Sequence, residues 1–239
     1  MAYTTIDDPG LYFNTNLHSG NSGTQAITGV GFQPDLTWTK YRGGDNHVLV
    51  DSVRGDKAIR SNVNDAEYTT GVSWVFNSDG FTMTGTTGEL NYSGRTYVAW
   101  NWKESATSGF DIVAYTGTGS TKTEAHSLSA VPHLMLFKER NSTGGWVVYH
   151  HKNTAAPETD YLSLSNTAAT DDHDNYFNDT APTSSVFTVG DDTGINEDAD
   201  TYVAYLFSEK QGYSKFGSHT GNGAADGPFI YLGFRPAFV

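Results

Sequence analysis

The stretch TYVAWNWK at Thr96–Lys103 returns as TYVAYLFS at Thr201–Ser208, about 105 residues further on, and this recurrence governs how the rest of the chain is read. Around it lie three glycine-bearing stretches, LHSGNSG (Leu17–Gly23), GFDIVAYTGTG (Gly109–Gly119) and GYSKFGSHTGNG (Gly212–Gly223). Each leads to a proline in an apolar, strand-like run: GFQPDLTWTK (Gly31–Lys40), SAVPHLMLFK (Ser129–Lys138) and GFRPAFV (Gly233–Val239). A period near 100 residues is too long for a solenoid unit and points to successive small β-rich domains. The expected division is an arm over residues 1–12, one repeat over 13–108, a second over 109–211, and over 212–239 either the opening of a third or strands that close the second. The stop at Val239, inside that third copy, reads as a truncated polypeptide.

Composition agrees with a β protein. Of 239 residues 17% are charged and 13% aromatic, and Gly, Thr, Ser and Asn fill much of the remainder; this balance suits strands joined by polar turns. No apolar run is long enough to span a bilayer as a helix, and the N-terminal sequence has no signal-peptide pattern. There is no cysteine, so neither disulfides nor a thiolate metal site contribute. The net charge is -13. Lys and Arg are missing between Lys152 and Lys210 while Asp accumulates there, a surface that repels phosphate backbones and argues against nucleic-acid binding.

Short runs rich in Val, Ile, Tyr, Phe, Trp and Thr alternate with turn residues, the pattern of an all-β sandwich or barrel. Strands are expected at Leu36–Tyr41, Val48–Val53, Val72–Phe76, Gly80–Met83 and Thr96–Trp102, and again at Leu134–Lys138, Trp146–His150, Tyr161–Leu164, Val186–Val189 and Thr201–Phe207. Asn77-Ser-Asp-Gly80 is a tight-turn sequence. Alternation along a strand puts Trp100 and Trp102 on one face, with Tyr205 and Phe207 at the same parity in the second copy. A face aromatic in both copies is expected to be core.

The strings GFQPDLTWTK, HVLVDSVRG (His47–Gly55), SNVNDAE (Ser61–Glu67), NSDGFTM (Asn77–Met83) and SGRTYVAWNWK (Ser93–Lys103), with FDIVAYTGTG, SAVPHLMLFKER, GGWVVYHHK and DTYVAY in the second copy, resemble a repeat module of tailed-bacteriophage virion proteins, marine and cyanobacterial phages above all. The resemblance covers nearly the whole chain from Phe13. It implies tandem antiparallel β-sandwich modules of jelly-roll or lectin-like type, in a structural or tail-associated protein. It brings no catalytic residues with it.

Each candidate site has a plain alternative. Tyr41, Trp74, Tyr92, Trp146, Tyr176 and Phe177 lie in or beside polar stretches, and flat aromatic faces beside Asn and Asp suit sugar rings. Each equally suits a core cap. Asp191, Asp192, Asn196, Asp198 and Asp200 could supply oxygens to Ca²⁺, though without EF-hand spacing. The matching first-copy loop, Thr86–Gly94, keeps Thr-Gly and Asn but loses most of the acids, so the common part is turn chemistry, with Asn91 and Asn196 bonding local backbone. Asp51 and Arg54 are expected either to pair and pin a strand end, the favoured reading, or to leave the planar fork of Arg54 for a partner's carboxylate. His150 and His151, adjacent on a strand, point to opposite faces. No metalloprotease, nucleophile-elbow, phosphate-loop or dinucleotide motif is present.

The expected function is therefore non-enzymatic: a virion structural protein, made in the bacterial host cytoplasm, that serves assembly and host attachment. It needs no cofactor, with Ca²⁺ the one candidate ion. Its expected partners are other virion proteins, further copies of itself (a homo-oligomer, trimeric by preference) and host-surface glycans, with no nucleic acid and no membrane insertion. The competing readings are a capsid decoration protein, a glycan-binding module and a glycan-cleaving enzyme.

Overall fold

A computed structural model of the chain describes residues 4–239. The protein is all-β. In the first half the strands are β1 (Phe13–Ser19), β2 (Thr24–Ile27), β3 (Leu36–Tyr41), β4 (His47–Asp51), β5 (Lys57–Arg60), β6 (Tyr68–Thr69), β7 (Ser73–Asn77), β8 (Gly80–Thr84) and β9 (Thr96–Trp102). The second half holds β10 (Phe110–Thr116), β11 (Lys122–Ala125), β12 (Leu134–Glu139), β13 (Trp146–His150), β14 (Asp160–Ser163), β15 (Asp171–Asp172), the short helix α1 (Asp174–Phe177), β16 (Val186–Val189), α2 (Thr193–Asn196) and β17 (Thr201–Phe207). Among the described residues no helix is long and apolar enough to cross a membrane.

One six-stranded sheet runs β1-β9-β3-β4-β5-β6 and the other β10-β17-β12-β13-β14-β15, the same order in each half. Registers correspond as well: Phe13 faces Trp102 and Ser19 faces Thr96, while Phe110 faces Phe207 and Thr116 faces Thr201. Each half adds a small sheet, β2-β8-β7 in the first and β11-β16 in the second. The acid-rich stretch carrying α1 stands where the first half has β7. Asn77 pairs with Gly80 at φ 136°, so the Asn-Ser-Asp-Gly turn closes the β7–β8 hairpin as its residues demand.

Alternation builds four layers from these sheets. Strands β4, β13 and β17 are buried along nearly their whole length, as strands covered on both faces must be. Outward, Val48, Val50 and Ala99 pack against Phe81, Met83 and Trp74 of the first small sheet. The second half repeats this with Phe137, Tyr149 and Ala204 against Phe187 and Val189. Inward, Leu36, Leu49 and Ile59 of one large sheet meet Leu136, Val148, Val203 and Tyr205 of the other. Each such apolar side chain, fully buried, contributes about 1.5–3 kcal/mol. The aromatic face formed by Trp102, Tyr205 and Phe207 thus lies where the halves join.

Two devices recur in both halves. Gly20 and Gly117 each end an edge strand so close to an opposing loop that a Cβ would overlap the carbonyl oxygen of Tyr92 or of Glu197. Asn91 and Asn196 hold those loops. Asn91 Nδ2 donates to Gly23 O and Gly85 O, both at 2.8 Å, and its Oδ1 accepts from Asn21 N. Asn196 Nδ2 donates to Ser120 O and Gly190 O, and its Oδ1 accepts from Thr118 N. Both asparagines are fully buried, so the amide bonds answer backbone groups that water does not reach.

Residues 212–239 pair with no sheet strand, among the described residues. They supply no closing strand to the second half; Phe238 instead packs against Phe13, Trp100 and Trp102.

Candidate functional site

The strand order common to the two halves separates scaffold from specialisation: what both halves keep serves the fold, and what one half alone carries is a candidate for function. Tyr97 and Tyr202 belong to the scaffold. Their hydroxyls accept from Tyr92 N and Glu197 N and donate to Gly88 O and Thr193 O respectively.

The largest half-specific constellation joins the halves. Arg54 and Asp51, both with fully buried side chains, pair at 2.6 Å. Tyr205 of the second half donates its hydroxyl to Asp51 Oδ2 at 2.6 Å and accepts from Arg54 Nη2 at 2.9 Å. Glu67 bridges Arg54 and Arg140, at 3.1 and 2.9 Å. Burial alone would raise the Glu67 carboxyl, but the hydrogen bonds and charges of Arg140 and Arg54 outweigh it and hold the group below the usual carboxylate range. A buried network in which each charge has a partner fixes relative orientation. Trp146 completes the seam by donating Nε1–H to Arg60 O at 2.9 Å.

Two aromatic groups near the surface are also half-specific. In the first half the guanidinium of Arg95 lies between the rings of Tyr41 and Tyr92, at 4.4 and 5.0 Å from their centroids. Asp45 holds Arg95 Nη1 at 3.0 Å, and Gly88 O accepts from the same nitrogen. Tyr92 is 49% exposed. The second half has Glu139, Glu197 and Asp200 at the corresponding places, so this cation–π stack has no twin. In the second half, Tyr161, His173 and Tyr176 cluster, with Tyr176 at 4.5 Å from each of the others. His173 Nε2 lies 3.6 Å from Asp192 Oδ2. The Tyr176 hydroxyl is pushed up to about 12, by burial first and then by the charge of Asp192.

Three of the six aromatic candidates are corrected. Trp74 is 6% exposed and stacks on Phe81 at 4.5 Å; Trp146 is 1% exposed between the large sheets; Phe177 is 2% exposed beside Phe137 and Tyr149. Each sits at a core-facing position that its neighbouring polar residues disguise. Tyr41, Tyr92 and Tyr176 remain accessible at least in part, the first two in one stack and the third in the other half.

The acidic set is not gathered round one point. Asp192 caps α2 through Gly194 N, Asn196 is occupied by backbone, and Asp200 Oδ1 accepts from Asn141 at 2.6 Å. Asp191 and Asp198 are exposed. Among the described residues no group of three or more His, Asp or Glu side chains is arranged to hold a metal ion. Sequence reasoning missed Arg95, Tyr161 and His173. A Tyr–Arg pair brought together from β3 and the loop before β9 leaves no local signal.

Chemically, the first-half stack offers a flat aromatic surface with a cation held inside it, suited to a ring face that also carries acceptor oxygens. The architecture is that of an antiparallel β-sandwich protein. The chain belongs to the DUF7483 family, described as a domain of unknown function, whose model matches residues 8–239. No curated protein and no solved structure matches it.

Proposed function

We propose that this protein is a non-catalytic structural component of a tailed-bacteriophage virion, working with other virion proteins in assembly and in attachment to the host surface. The sequence strings that resemble phage virion repeats motivate the virion assignment. The observation that carries the structural reading is where the buried charge goes. Asp51, Arg54 and Glu67 are directed into the seam between the halves, together with Tyr205, and so serve rigidity. Packed sheets joined by polar loops suit display, because loops vary without disturbing the sheets beneath them.

Glycan binding is the second reading, and the Arg95 stack with Tyr41 and Tyr92 favours it. Sugars offer C–H faces to aromatic rings and oxygens to a guanidinium. A decoration role differs in needing no such contact.

The test is twofold. Antibody against the recombinant protein should label purified particles, and the protein should compete with those particles for adsorption to host cells. Particles that carry no copies would overturn the virion assignment. Labelled particles with unaltered adsorption would leave decoration in place of attachment.

A further inference from the structure

Hydrogen-bond parity decides which backbone groups of an edge strand face away from its sheet. Gly85 N donates to Gly23 O at 3.3 Å, so Phe81 and Met83 of β8 turn to β2, while Gly80, Thr82 and Thr84 turn to β7. Ser73, Val75 and Asn77 therefore bond β8, and the N–H and C=O groups of Trp74 and Phe76 point outward. β7 is hydrogen-bonded to β8 alone. Val72 stands next in the outward row, and one hydroxyl takes both its groups: its N–H donates to Thr70 Oγ1 at 2.9 Å, and that hydroxyl donates to its C=O at 2.8 Å. The outward groups of Trp74 and Phe76 have no partner among the described residues.

The other sheet edges are interrupted. On β1, Thr15 N donates to Asn14 Oδ1 and Ser19 O accepts from Gln25 Nε2, both at 2.9 Å. On β10, Ile112 N donates to Asp111 Oδ1 at 3.0 Å and Thr116 O accepts from Lys122 Nζ. On β2, Thr24 O accepts from Asn21 Nδ2 and Thr28 O from Asn16 Nδ2. Each of these edges keeps one residue between the blocked ones, Leu17, Ala114 or Ala26, with both groups open. β11 carries the Lys122–Glu124 ion pair, β6 and β15 are two residues long, and β16 is flanked by α1, where Tyr176 O accepts from Gly190 N at 2.7 Å. Short, charged or blocked edges are how sheets resist strand addition. β7 has none of these protections: no charged residue and no proline stands between Glu67 and Asp79.

We propose that β7 pairs with β7 of a second copy of this chain, antiparallel about a two-fold axis through Val75. In that register Trp74 of each copy faces Phe76 of the other, and each such pair exchanges both its N–H···O bonds. The open N–H and C=O groups of both residues are then all used, with none left over, which is the self-complementarity a two-fold interface requires. Setting Trp74 against Trp74 instead would leave Phe76 facing Val72, whose groups Thr70 already holds. Val75 meets Val75 in the intervening non-bonded pair, where side chains approach most closely. It is 53% exposed in the single chain, so the pairing also covers apolar surface. The small sheets β2-β8-β7 of the two copies become one continuous sheet. The inference concerns self-association and stands whether or not the protein is a virion component.

Sedimentation velocity on the full chain over a concentration series tests it. The unaltered protein should pass from monomer to dimer. Val75→Lys sets two like charges face to face on the axis and should sediment as a monomer throughout. Its unfolding midpoint at the dilute end of the series should match the wild type, because the position is exposed in the single chain. In this cysteine-free protein, Val75→Cys should form an intermolecular disulfide under mild oxidation, since residue 75 alone meets its own copy. Ser73→Cys, which would face Asn77 of the second copy, should not. A wild type that stays monomeric throughout, whether or not it binds some other polypeptide, overturns the inference. So does a trimer as the associated species, a Val75→Lys variant that associates like the wild type, or a Val75→Cys variant that cross-links no faster than Ser73→Cys.

Discussion

Tyr205 and Asp51 are hydrogen-bonded at 2.6 Å across the seam between the two halves, although 154 positions separate them in the chain. Arg54 closes the triangle from the Asp51 side. Removing the hydroxyl with Tyr205→Phe strips one bond from a buried carboxylate and one from a buried guanidinium. The expected cost is about 1–3 kcal/mol. Arg54→Met, which leaves Asp51 buried without its cation, should cost about 3–5 kcal/mol. Urea unfolding followed by fluorescence measures both, and equal effects would show that the charge pair does not dominate the seam.

His18 and Tyr115 occupy the same place in their respective halves, stacked on Tyr97 and Tyr202 at 5.4 and 5.1 Å. Tyr115 donates to Ile195 O at 2.8 Å, whereas both ring nitrogens of His18 are buried without a partner among the described residues. His18→Tyr supplies the missing donor and should stabilise the protein by about 1 kcal/mol. An unchanged or lower unfolding midpoint would count against the equivalence.

Burial also lowers the His18 imidazole from 6.5 to about 4. Between those values the unfolded chain binds the proton that the folded one refuses. Stability contributed here is therefore full above pH 6.5 and is lost as pH falls toward 4. His133 and His150 are lowered as well, also chiefly by burial, so His18→Phe should reduce the acid sensitivity without abolishing it. Unfolding midpoints from about pH 7 down to about 4.5 give the slope for each variant.

Glu104 acts in the opposite direction. It is held up to about 8, by burial first and then by Asp111, Asp35 and Asp51 around it. The folded state keeps its proton, so this contribution is full below the usual carboxyl range and disappears as pH rises through about 8. Glu104→Gln, which cannot ionise, should be more stable than the parent at about pH 9 and should flatten the decline between about pH 6 and that point. Matching pH profiles for the two proteins would show that Glu104 titrates normally.

The corrected aromatic residues offer a direct contrast. Trp74→Ala empties a core position and should cost about 3–5 kcal/mol. Tyr92→Ala, at an exposed position, should change stability by less than about 0.5 kcal/mol. If a polysaccharide ligand is found on an array, Tyr92→Ala should weaken its binding at least tenfold, and Tyr176→Ala should not.

The fold class was legible because alternation and turn chemistry are local. Leu36–Tyr41, Thr96–Trp102 and Thr201–Phe207 read as strands and are strands. β1 was harder: FNTNLHS is an edge strand of mixed polarity, with no continuous apolar face to announce it. β5 was missed because KAIR is too short to show a period. Asn91 and Asn196 were readable as backbone-bonding residues, since the duplication showed which part of an acidic loop was constant. Trp74, Trp146 and Phe177 misled because polar sequence neighbours say nothing about which face of a strand is covered.

By itself the sequence determined ten of the strands and the turn at Asn77–Gly80, which depend on residues a few positions apart, and it displayed the recurrence of one pattern along the chain. Only the tertiary structure decided that the two large sheets pack face to face, that Asp51 and Arg54 meet Tyr205, and that Arg95 lies between Tyr41 and Tyr92. Those contacts depend on which sheet face is covered and by what, and that is set by the summed burial of many distant side chains. No local run of residues encodes it.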